Sequence, residues 1–378
     1  MDKQNDFTEA RATAFTTTAG LTLLAVMALG VWQVVGAVRA GLEFPSGPGD
    51  FREGRTTQTI EKQIDQKLPV RATLIAAANS LRYRLMRGAG DQVRLGADDW
   101  LYLTDELRFY PDADAHQAAR ITLLAAASKA LAERGVRLVV ALVPDKARVH
   151  PGHLPEGQAP AYTGQRYAQA LASLRAQGVF AIDLLAPLQD GERAGAMYYR
   201  TDTHWNQAGA RVAAQAVADG VKGLGLALDP TSFAQDAAGA ETERPGDLIR
   251  LMGLSDVPNF WRPKPDREAA VTTRQTSADS AGGGLLGDAA AVPVVLTGTS
   301  YSLRGNFHGY LQEALSAKVL NTAKDGGGFL QAATDYFKDE AFKASPPKLV
   351  VWELPERFLP APLESKEAGW LREVGLAP

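Results

Sequence analysis

From about Gln117 onward the apolar positions follow two alternating rhythms. An alanine- and leucine-rich stretch with helical spacing runs to Arg134, and the continuous apolar run Val136 to Val143 follows it. The first predicts a helix and the second a strand buried on both faces. The pair recurs as a helix from Arg166 to Gln177 and a strand from Val179 to Leu185, and a third helical pattern spans Ala208 to Lys222. Two later apolar runs, Pro293 to Thr297 and Leu349 to Leu354, predict further core strands, with a helix from Tyr310 to Leu320 between them. Strands that alternate with helices and read apolar throughout imply an α/β three-layer sandwich around a mostly parallel sheet. Such a sheet presents ligands at the carboxyl ends of its strands.

Upstream the pattern changes. No charged residue occurs between Arg11 and Arg39, and Ala19 to Val38 is apolar all round. Its length suffices for roughly 30 Å of helix, so a retained single membrane span is expected within 14–38, after a cytoplasmic 1–13. A cleavable signal peptide would have a shorter apolar region. Residues 39–90 read as a linker with bracing helices: Gly41 to Asp50 is rich in proline and glycine, and Thr57 to Lys67 and Thr73 to Leu85 are amphipathic. Residues 91–378 form the main domain. Within it, 266–290 is rich in Ala, Gly, Ser and Thr with little periodicity, and predicts a mobile surface loop before the Pro293 strand.

Composition narrows the chemistry. The 40 basic and 43 acidic residues leave a net charge of -3, which gives no global attraction for nucleic acid, so none is expected as a partner. The absence of cysteine removes disulfides, thiolate metal sites and cysteine nucleophiles. Neither a phosphate-binding GxxxxGK[ST] nor a GxGxxG in a strand-turn-helix context is present, and no cofactor is expected. His150, His153 and His308 lack metal-ligand spacing, so no metal is expected either.

Two segments carry candidate catalytic groups. In YYRTDTHWNQAG, Tyr198 to Gly209, Asp202 and His204 stand two apart; in an extended segment they point to the same side, where a carboxylate can orient an imidazole. Taken alone, Asp202 or Thr203 would more often cap the following helix. In VVLTGTSYS, Val294 to Ser302, a buried strand runs into a tight turn that exposes the Ser300 hydroxyl. A serine needs a base to become nucleophilic, and the base needs an orienting group, so Ser300, His204 and Asp202 together predict an acyl-transfer triad. Asn306 is a candidate oxyanion donor, Tyr301 a candidate wall of an acyl pocket, and Trp205 a candidate for stacking on sugar rings, as are Trp100 and Trp352. Lys146 and Arg148, after the Val143 strand, are expected to form the small basic patch that a polyanionic partner would need.

These two segments together resemble the periplasmic alginate O-acetyltransferase family, whose SGNH-hydrolase-like domain carries a DxHW segment and a later GxSxS nucleophile. The resemblance extends to LGADDWLYL (Leu95 to Leu103), to Val143-Pro144 with Lys146, to Gly246-Asp247-Leu248, and to Trp352 through Arg357, and so covers most of the chain from about residue 90. Asp99 stands where the family's Asp-Gly-Trp has glycine. The Asp/His pair precedes the serine, the order of the circularly permuted branch. The short tail beyond Pro360 leaves no expectation of a carbohydrate-binding module. The resemblance implies that Asp202, His204 and Ser300 are acid, base and nucleophile. It also implies that the domain lies in the periplasm, anchored in the inner membrane, that a membrane-bound O-acyltransferase supplies acetyl groups, and that an exopolysaccharide such as alginate or cellulose accepts them. A carbohydrate acetylesterase with the same triad and a non-catalytic polysaccharide-binding component of an export complex are the alternatives.

Overall fold

The computed structural model describes residues 71–155, 159–276 and 292–377, with a scatter of residues between 24 and 58. The chain divides into two units, Met1–Ala78 and Asn79–Pro378. The expected span within 14–38 falls largely, and the expected helix from Thr57 to Lys67 almost wholly, outside the described residues; among these, no helix is long and apolar enough to cross a membrane. The helix expected from Thr73 to Leu85 is present as Arg71–Met86.

Five strands form one parallel sheet in the second unit: β1 (Arg137–Val143), β2 (Phe180–Asp183), β3 (Val294–Thr297), β4 (Val319–Asn321) and β5 (Leu349–Pro355). Their order is β4-β3-β5-β1-β2. The two longest strands pair in the middle, from Leu349 beside Arg137 to Pro355 beside Val143. Because side chains alternate across a strand, β1 serves two cores. Leu138, Val140 and Leu142 pack with helices α1 (Ala113–Ala132) and α2 (Arg166–Ala176). Val139, Ala141 and Val143 pack with α3 (Gln207–Lys222) and α4 (Phe307–Leu315). Both faces are therefore covered, which is why these strands read as unbroken apolar runs. Each fully buried Val or Leu contributes about 1.5–3 kcal/mol, so the sheet is a stiff platform for the loops at its carboxyl edge.

Three expectations need correction. The helix expected from Tyr310 to Leu320 stops at Leu315, because Ser316 adopts a left-handed conformation (φ 50°) and turns the chain into edge strand β4. The strand expected to reach Leu185 ends at Asp183, whose carboxylate accepts the Leu185 amide at 2.8 Å and starts helix Leu185–Glu192. The loop expected over 266–290 contains strands Asp266–Ala269 and Thr273–Gln275, which pair antiparallel with Glu241–Arg244 and Phe233–Gln235; 277–290 lie outside the described residues. None of the residues in these ribbons is buried, so no apolar alternation marks them in the sequence.

Candidate active site

Ser300 stands two residues beyond Gly298, where β3 leaves the sheet, and opens the single 3-10 turn Ser300–Leu303. The backbone there passes so close to β5 that a Cβ on Gly298 (φ 155°) would lie 2.6 Å from the Glu353 carbonyl oxygen; only glycine fits. Glu353, fully buried, ties the turn down. Its carboxylate accepts the Thr299 amide at 2.7 Å, the Thr299 hydroxyl at 3.0 Å and the Ser302 hydroxyl at 3.1 Å. Burial raises the Glu353 pKa, and these three donors offset part of that rise.

Asp202 and His204 lie in a closed loop and not, as expected, in an extended segment. A bridge between Tyr198 and Trp205 pinches the loop, and the Tyr199 amide donates to the His204 carbonyl at 3.2 Å. Inside it one oxygen of Asp202 accepts both the His204 amide, at 3.0 Å, and the ring Nδ1, at 2.5 Å. The other ring nitrogen, Nε2, lies 2.7 Å from the Ser300 hydroxyl. The chain Asp202, His204, Ser300 is thus continuous, and all three are buried, the serine at 8 % exposure still reaching the surface. The helix cap is Asn206, which accepts the Gly209 amide at 2.9 Å and so leaves Asp202 to the histidine.

The second oxygen of Asp202 accepts from Arg244 Nη1 at 2.9 Å and from the Asp247 amide at 3.2 Å. Burial alone would raise the Asp202 pKa, but hydrogen bonding and charge from His204, followed by the charge of Arg244, hold it well below the usual carboxylate range. Asp247 accepts the Thr203 amide and hydroxyl, and its Oδ2 lies 3.5 Å from His204 Nδ1. Burial first, and then the charge of Asp202, raise its pKa. Asp202, His204 and Asp247 bring one potential ligand atom each within 4.8 Å of one another; the hydrogen bonds just given account for that clustering. Gly246 makes it possible for this segment to approach, since a Cβ there would lie 2.0 Å from the Thr201 carbonyl.

Several expected binding residues support the site from behind. Tyr301 is fully buried: its hydroxyl donates to the Thr203 carbonyl at 2.7 Å and its ring packs 4.8 Å from His204, so it cannot wall a pocket open to substrate. Trp205, also fully buried, donates to the Tyr301 carbonyl at 3.1 Å and is not free to stack on a sugar; Trp100 and Trp352 are buried too. Lys146 and Arg148 do not form a surface patch. Lys146 is fully buried under the loop and donates to the carbonyls of Leu101, Arg200 and Asp202 at 2.6, 2.8 and 3.0 Å, while Arg148 is paired with Glu356. Asn306 donates to the Thr273 hydroxyl at 2.9 Å and lines a cavity of about 500 Å³ together with Asp202, Arg244, Asp247, Arg250 and Arg304. Arg244, Asp247 and Glu353 escaped the sequence reading as site residues, although two of them lie in the Gly246-Asp247-Leu248 and Trp352-Glu353 segments already picked out.

A carboxylate-oriented imidazole within proton-transfer distance of a serine, on the carboxyl edge of a parallel sheet, defines a serine acyl-transfer enzyme. Residues 93–356 match the family described as SGNH hydrolase-like domain, acetyltransferase AlgX. The chain is 33% identical over 354 residues, 92% of its own length and 90% of the other, to a probable alginate O-acetylase AlgJ of Pseudomonas syringae pv. tomato. It is 35% identical over 328 residues, 85% and 84% of the two chains, to a protein of the same name from Pseudomonas putida. Among solved structures, the O-acetyltransferase domain of Pseudomonas putida AlgJ superimposes with a TM-score of 0.65 and 35% identity, over 75% of this chain and 98% of that one. Pseudomonas aeruginosa AlgX matches with a TM-score of 0.58 and 25% identity, over 75% and 66%. The chain therefore belongs to the SGNH hydrolase-like acetyltransferase family, and it is an O-acetyltransferase.

Proposed function

We propose that this O-acetyltransferase moves acetyl groups onto hydroxyls of an alginate-like polyuronate, through an acetyl-serine at Ser300. The observation that carries the reading is the unbroken bonded chain from Asp202 through His204 to the Ser300 hydroxyl. His204 Nε2 takes the serine proton as Oγ attacks the acetyl carbonyl; the tetrahedral intermediate collapses, and the departing donor oxygen receives that proton. An acceptor hydroxyl then gives its proton to His204 and attacks the acetyl-serine, and collapse restores the Ser300 hydroxyl. The Ser300 amide, first in its turn and without an intraturn partner, is a donor for the oxyanion, and Asn306 supplies a second if it leaves Thr273.

The acceptor class rests on the alginate O-acetylases this chain is similar to and on the arginines of the cavity. The apolar run from Ala19 to Val38 supports a single membrane anchor, and the resemblance to the family supports placing that anchor in the inner membrane with the catalytic domain in the periplasm. The resemblance to the family supports a membrane-bound O-acyltransferase as acetyl supplier. The test is to incubate the full-length chain with an activated acetyl ester, locate the acetate by mass spectrometry, and add oligouronate. Acetate on Ser300 that moves to the saccharide is the expected result. Release to water alone indicates an acetylesterase, and an acetate found on Ser300→Ala would refute the assignment of the nucleophile.

A further inference from the structure

The cavity beside the triad holds three guanidinium groups in different circumstances. Arg304 is paired with Asp325 at 3.1 Å, and Arg250 has no ion-pair partner among the described residues. Arg244 is joined to the triad itself, through Nη1 to Asp202 at 2.9 Å. Its Cζ lies over the Tyr199 ring, 3.8 Å from the centroid, a cation–π contact that restrains the guanidinium; Tyr199 is held in turn by Glu268. A guanidinium carries five N–H donors around its edge, and stacking uses its face, leaving the edge for hydrogen bonds. Arg244 is one-quarter exposed and lines the cavity. The ion pair with Asp202 engages one nitrogen of that edge.

We infer that Arg244 reads a carboxylate on the acceptor sugar and couples its arrival to the triad. This rests on the transferase reading above and identifies a residue that distinguishes acidic from neutral acceptors. A planar carboxylate matches two parallel N–H groups of a guanidinium, so a uronate entering the cavity meets a pre-oriented fork, with Arg250 adding charge on the same wall. As that carboxylate draws on the positive charge of Arg244, more of the Asp202 charge is left to stabilise the imidazolium formed when the acceptor proton moves to His204. The acceptor carboxylate thus assists the step that consumes it, and a neutral sugar does not.

The test compares an oligouronate with its carboxyl-reduced, neutral counterpart as acceptor, using the full-length chain loaded from an activated acetyl ester. The readout is the ratio of the two transfer rates, which is independent of how much basal activity a variant retains. For the unmodified chain the acidic acceptor is favoured on the order of ten- to a hundred-fold, the range of a charge-assisted hydrogen-bonded pair, with differences in both kcat and KM. Arg244→Gln brings the ratio to within about two-fold, and Arg244→Lys, a point charge without the fork, restores it in part. An equal rate with both acceptors in the unmodified chain, or a ratio unchanged by Arg244→Gln, overturns the inference while leaving the transferase reading intact. A preference confined to KM overturns the coupling to the triad. Transfer to neither acceptor, with the ester still hydrolysed, overturns the transferase reading and this inference with it.

Discussion

Lys146→Met tests whether the loop that carries the acid and base is held from below. The substitution keeps the length of the side chain and removes its charge and donors. It deprives the carbonyls of Leu101, Arg200 and Asp202 of donors at 2.6, 2.8 and 3.0 Å, in a position with no solvent access. Hydrogen bonds to a charged group are worth about 1.5–3 kcal/mol each, about 4.5–9 kcal/mol for three. Against this, relief of the cost of burying an ammonium returns several kcal/mol, which leaves a net loss of about 3 kcal/mol, at the low end for breaking a buried charged network. The lost anchorage also frees the Asp202 backbone, and a displacement of about 1 Å at a reacting group slows chemistry on the order of a hundred-fold. Urea unfolding of the full-length chain measures the first effect, and the rate of acetyl-serine formation from a chromogenic acetyl ester the second. A loss below about 1 kcal/mol together with an unchanged acylation rate would refute the reasoning.

Other consequences follow from the same geometry. Burial lowers the Lys146 pKa to about 8; because this lies below the value in the unfolded chain, its linkage term penalises the fold at neutral pH and recedes as pH rises past 8. Acylation moves the other way, since the neutral amine has two donors for three carbonyls, so its rate should fall above about pH 8 and Lys146→Met should lack that limb. Asp202, held below the usual range, contributes stability that is complete above about pH 4 and is lost as pH falls; acid unfolding of Asp202→Asn should show a shallower acid dependence than that of the unmodified chain. Gly298→Ala drives a methyl group into the Glu353 carbonyl and should cut acetyl-serine formation at least on the order of a hundred-fold; a folded variant with normal rates would contradict the close approach. Glu353→Ala leaves one amide and two hydroxyls without their acceptor and should cost about 2–4 kcal/mol, measured by denaturant midpoint.

By itself the sequence determined the elements whose energetics are local or two-sided. β1, β3 and β5 are buried on both faces, so their runs are apolar throughout and are visible without a partner; α3 begins within one residue of its expected start because Asn206 caps it. The triad was legible because Ser300 stands just past the end of β3, and Asp202 and His204 stand two apart in the segment that leads into α3. What the tertiary structure decided are the contacts made across long sequence separations. Edge strand β4 and the polar ribbons take their form from partners, not from periodicity. Lys146, Tyr301 and Trp205 read as surface or binding residues because a charged or aromatic side chain gives no sign of which way it points. Their burial around the Asp202 loop is set by chain segments about fifty to a hundred residues away. Arg244 belongs to the site for the same reason: only folding brings it within 2.9 Å of Asp202, because an ion pair is fixed by distance in space and leaves no mark on the spacing of the chain.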